Sequence, residues 1–180
     1  MKQFSKSSRG ITLVETVVSM LLVGFVLVST MSIVGPVTRS TSVQADKLVA
    51  ANLANELTEE IATKLFIDPN AATPDDIGFD ADDSIFMRLT YDDIDDYHGW
   101  SSSPPKNSYG SAYATMKEWT RSVSVMHVML ADPSAESKMN TGLKRVTVEV
   151  SKNGTVLSSI STLHSQAADT LGFVVATGEK

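Results

Sequence analysis

A run of 24 residues, 11–34, has Glu15 as its only ionisable side chain and is otherwise dominated by Val, Leu, Met and Phe. At a helical rise of about 1.5 Å per residue it spans about 36 Å, enough to cross the roughly 30 Å hydrocarbon core of a bilayer with some tilt. Residues 11–36 are therefore expected to form a membrane-spanning helix. Gly24 and the pair Gly35-Pro36 interrupt this helical stretch, and Pro36, which lacks a backbone donor and crowds the preceding turn, is expected to kink or end it. Lys2, Lys6 and Arg9 precede the run and no cation follows until Arg39. The positive-inside tendency then places the N-terminus in the cytoplasm and the bulk of the chain outside.

A secretory signal carries its small-residue cleavage site after the apolar core. Val34-Gly35-Pro36-Val37 offers no such pattern, whereas Arg9-Gly10 lies before the core, so cutting there leaves the helix on the product. The stretch Arg9-Gly10-Ile11-Thr12-Leu13-Val14-Glu15, followed by a long apolar run, resembles the processing motif of type IV prepilins and type II secretion pseudopilins. In that family a membrane-embedded prepilin peptidase cuts after the Gly and methylates the new amine. The resemblance implies that residues 1–10 are a leader, that Gly10 precedes the cut, and that Ile11 becomes the N-methylated terminus. Glu15 is then the fifth residue of the product. Ile11 stands where the family usually has Phe, and Thr16 where an apolar residue is common; a helical Thr can satisfy its hydroxyl on the preceding turn.

Glu15 also has a physical argument. A carboxylate inside an apolar helix costs roughly 2.5–3.5 kcal/mol on insertion scales, which makes it a functional candidate whose partner should be named. The cationic N-terminal amine of a neighbouring subunit fits, as in pilin assembly. The structural alternative is that Glu15 lies one turn from the helix start, where an acid favours the macrodipole and reaches interfacial water. The resemblance further implies a minor subunit, held single-pass in a bacterial inner membrane with its head periplasmic. Its partners would be the bilayer, prepilin peptidase, other pilin or pseudopilin subunits and the inner-membrane assembly machinery.

Beyond a polar stretch from Thr38 to Ser42, Val49, Leu53, Leu57, Ile61 and Leu65 recur at four-residue spacing with polar residues on the other faces, so 37–67 reads as an amphipathic continuation ended by Pro69. In 119–180 three strands are expected. Trp119, Val123, Val125 and Met129 alternate in the first, Val146, Val148 and Val150 in the second, and Val156 and Ile160 in the third. Asn153-Gly154 is the favoured pair for a type I′ hairpin turn. The expected class is α+β: a long N-terminal helix packed on a small antiparallel β-sheet head, which is also the pilin-like arrangement.

Residues 68–118 read as irregular and acidic. Without Lys2, Lys6 and Arg9 the chain carries 12 basic against 21 acidic residues, a net charge of −9; residues 68–100, with ten Asp and only Arg88, are themselves at −9. Such a surface repels phosphate, so nucleic acid is not expected as a direct partner. Asp92, Asp93, Asp95 and Asp96 suit a hard cation such as calcium, used by some pseudopilins, although their spacing is not that of an EF-hand and a solvated acidic loop is the plainer expectation. With no cysteine, thiolate metal sites and thiol nucleophiles are excluded. His98, His127 and His164 form no catalytic constellation and no phosphate loop or nucleophile elbow is present, so no catalytic residue is expected. Beside filament assembly stands a second reading, a membrane-anchored binding protein whose acidic loop recognises a ligand or cation.

Overall fold

The computed structural model describes residues 12–68, 77–78 and 87–170. Its element order is helix α1 (Leu13–Ala62), strands β1 (Ser101–Ser102), β2 (Trp119–His127), β3 (Leu143–Lys152) and β4 (Thr155–Ser165), and helix α2 (Gln166–Thr170). The chain divides into two compact units at Ala45 and Asp46. In the first, Leu13–Met31 is long and apolar enough to cross a membrane, and none of it is buried. Met20, Leu21, Phe25 and Val28 are exposed there, as a lipid-facing surface requires.

Pro36 does not end the helix; α1 is one element through that position. A proline removes one intrahelical bond and strains one turn, at about 3 kcal/mol, and the bonds on either side can outlast that. The helix stops at Ala62, before the expected end at 67. Its last turn tightens, with Thr63 N–H donating to Glu60 O (3.3 Å) and Lys64 N–H to Ile61 O (3.0 Å). Leu65 is then drawn out of helical register: its N–H donates to Asp92 O (3.2 Å) and its carbonyl accepts from Ile94 N–H (3.0 Å).

In the second unit the four strands form one antiparallel sheet in the order β1-β2-β3-β4. Ala50, Leu53, Ala54, Leu57 and Ile61 supply one helical stripe, and Val123, Val125, Val146, Val148 and Val150 one strand face, to a single buried cluster. Tyr91, Ile94, Tyr97 and Trp100 from the acidic region complete it. The α+β class and the three expected strands are present. Asn153 (φ 50°) and Gly154 (φ 77°) join Lys152 to Thr155, the two positive φ values of a type I′ turn.

Two strand details depart from simple alternation. β2 ends at His127, and Val128, paired with Glu136, takes the next buried position, leaving Met129 exposed. Beyond the turn the register shifts at Val150/Ser151, where Val156 faces Ser151 and Ser158 faces Val150. The extra residue, Leu157, packs against the core in place of Val156, which is exposed.

Candidate functional site

The N-terminal candidates begin where α1 begins. Thr12 Oγ1 accepts from the Glu15 N–H (3.3 Å), and the Thr-x-x-Glu spacing is that of a capping box. Thr16 Oγ1 donates to Leu13 O (2.8 Å), so its hydroxyl is satisfied within the helix. Glu15 lies in the first turn, where the unpaired N–H groups of the helix make the field electropositive. Gly10 and Ile11 lie outside the described residues.

In the head, the acidic region is fastened to α1 and β2 by buried charge. Arg88 grips Glu60 with two parallel bonds, Nε to Oε1 (2.9 Å) and Nη2 to Oε2 (3.0 Å), and donates through Nη1 to Lys106 O (3.1 Å). Its guanidinium lies 4.3 Å from the centroid of the Trp100 ring. Tyr97 donates its hydroxyl to the same Glu60 (2.9 Å), and burial together with that carboxylate pushes the phenol's pKa upward. Arg121, fully buried on β2, donates to Leu53 O (3.0 Å) and to Lys106 O, and lies 3.7 Å from Glu56. Burial, and then Arg88, lower its pKa.

The four candidate aspartates separate into two roles. Asp95 Oδ2 meets Lys144 Nζ at 2.5 Å inside the core, and Lys144 also donates to Phe66 O. Burial pushes Asp95 up and Lys144 works against that shift. Asp92, Asp93 and Asp96 can bring one carboxylate oxygen each within 4.8 Å of one another. Asp93 Oδ1 accepts from the N–H groups of Asp95 (2.5 Å) and Asp96 (3.2 Å), while Asp96 Oδ2 accepts from those of Asp92 (3.1 Å) and Asp93 (3.4 Å). These bonds close the tight turn of Asp95–Tyr97 on itself. Burial, and then the Asp95 carboxylate, raise the Asp93 pKa from 3.8 to about 7.

The expectation of a solvated acidic loop is therefore corrected for the four candidate aspartates: Asp93, Asp95 and Asp96 are buried and, of the four, Asp92 alone is exposed. The calcium expectation narrows as well, because Asp95 is engaged by Lys144. Asp92, Asp93 and Asp96 are the donor set a hard cation could use, at the cost of ionising Asp93. Arg121 and Lys144 went unassigned in the sequence, although strand parity carries the signal. Arg121 alternates with Trp119 and Val123, and Lys144 with Val146, so both occupy the inward row. Glu60 and Arg88 leave no comparable trace, since their pairing joins an exposed-looking helix position to an irregular segment. Comparison with protein-family models, curated proteins and solved structures finds no match.

Proposed function

We propose that the chain is a minor pilin or pseudopilin, a structural subunit cut by prepilin peptidase after Gly10 and assembled through its N-terminal helix into a type IV pilus or type II secretion pseudopilus. The observation that carries the reading is the double use of α1. Its first part, opening on the Thr12–Glu15 cap, is apolar enough to cross a membrane, and its last part supplies the buried stripe of an antiparallel head. A subunit of this kind is stored in the bacterial inner membrane with its head periplasmic and acts by assembly, without catalysing a reaction. Mass spectrometry of the mature N-terminus tests it: an N-methylated Ile11 is expected, and an intact Met1 or a cut beyond Val34 would defeat the reading.

The clustering of Asp92, Asp93 and Asp96 favours a second reading, an anchored protein that binds a cation through its head. On that reading millimolar calcium raises the unfolding temperature of the full chain in detergent, and Asp92→Asn removes the rise. An unfolding temperature indifferent to calcium eliminates it.

A further inference from the structure

Lys144 and Asp95 meet where an ion pair is costly. The lysine is fully buried on β3, and Asp95, which opens the tight turn Asp95–Tyr97, is 5% exposed. Taking both charges out of water is repaid only when their remaining protons and lone pairs are satisfied as well. Here the lysine is better served than the aspartate. Lys144 Nζ donates to Asp95 Oδ2 and to Phe66 O and lies 4.2 Å from the centroid of the Phe66 ring. Asp95 Oδ1 is buried with no hydrogen-bond partner among the described residues.

The same contact is an approach geometry for bond formation. With Nζ 2.5 Å from Oδ2, the Asp95 Cγ lies roughly 3–3.5 Å from the nitrogen, the separation at which partners held in place react. Groups held in this way act at effective concentrations of about 10⁵–10⁸ M, which offsets the reluctance of an amine and a carboxylic acid to condense in dilute solution. Phe66, against the ammonium, is buried, as are Ile94, next to Asp95, and Val146, next along the inward row of β3, so bulk water is kept from the pair.

We propose that Lys144 and Asp95 condense to an intramolecular amide, a covalent tie between β3 and the acidic segment that the chain forms unaided. The Nζ–Cγ bond forms, one Cγ–O bond breaks, and the carboxylate oxygen leaves as water with two of the three ammonium protons. The step needs no oxidant, reductant or co-reactant. The pair is neutral as a whole before and after, so protons move only between the two partners and the departing water. Both buried charges vanish, and Nζ keeps one N–H for the Phe66 carbonyl. The tie joins residues 49 apart in a chain that has no cysteine with which to make a disulfide.

Mass spectrometry of the full chain, purified in detergent and unfolded before measurement, tests this. The chain is expected to weigh one water less than its sequence requires, once the state of its N-terminus has been read from the terminal peptide. Trypsin is then expected to release residues 89–106 and 139–145 as a single branched peptide, because an acylated Lys144 is no longer cut whereas Arg145 is. Recovery of 89–106 and 139–144 as separate peptides from a chain of full mass overturns the proposal and leaves an ordinary buried ion pair. A water loss confined to 89–106, as an imide at Asp95-Asp96 would give, overturns it too. Lys144→Arg keeps the cation but has no amine to acylate, and it is expected at full mass with no branched peptide. A water loss that persists in this variant places the dehydration elsewhere and overturns the proposal.

Discussion

Asp93 has one oxygen committed to two backbone N–H groups and a carboxyl that burial and Asp95 hold neutral up to about pH 7. With a folded pKa of about 7 against 3.8, the folded state binds more protons than the unfolded state between those values. Its contribution to stability is therefore fully present below about pH 4 and is lost as the pH rises through about 7. At about 1.4 kcal/mol per pKa unit, the loss is on the order of 4 kcal/mol. Asn keeps the Oδ1 acceptor and cannot ionise. Asp93→Asn is expected to leave the unfolding temperature at pH 4 nearly unchanged, to raise it by several degrees at pH 8, and to flatten the profile between. A thermal melt series on both proteins checks this; parallel profiles would show that Asp93 is ionised in the fold.

At the scale of elements, the joint between α1 and the sheet carries the head. Leu57 is fully buried among valines of the facing strands, so Leu57→Ala should cost 2–5 kcal/mol, the usual penalty for a cavity in a packed core. Val156→Ala, at an exposed position, should change stability by less than about 0.5 kcal/mol in a denaturant titration, although both are large apolar residues in regular structure. Equal losses for the two would refute the bulge that exchanges Val156 for Leu157. This contrast also marks what could be read from the sequence. Period-four spacing located the α1 stripe, period-two spacing located β2 and β3, and Asn153-Gly154 located the turn, because each signal is local. A two-residue strand such as β1 carries no period. The burial of Asp95 against Lys144 joins residues 49 apart in the chain, a pairing that no local pattern encodes.

At the scale of the whole molecule, the assembly proposal gives Glu15 a place at the interface, and Glu15 has two uses that a single substitution would confuse. As the fourth residue of a Thr-x-x-Glu cap it favours the start of α1, an effect worth about 0.3–1 kcal/mol through the helix dipole. As a carboxylate in a helix long and apolar enough to cross a membrane, it would cost more than that to insert, which makes a cationic partner valuable. Gln separates the two uses, because it can serve the N3 position of a capping box, three residues after the N-cap, but carries no charge. Glu15→Ala and Glu15→Gln are both expected to insert in the membrane as the unaltered chain does. Both should fall at least tenfold in incorporation into filaments, measured as the ratio of sheared to membrane-retained subunit. If Glu15→Gln assembles normally while Glu15→Ala does not, the residue acts as a cap and the pairing with a neighbouring amine is wrong. Normal assembly of both variants would remove Glu15 from the interface altogether. Only equal loss in both ties assembly to the charge, and with it makes the helix that holds the subunit in the bilayer the contact that draws it into the filament.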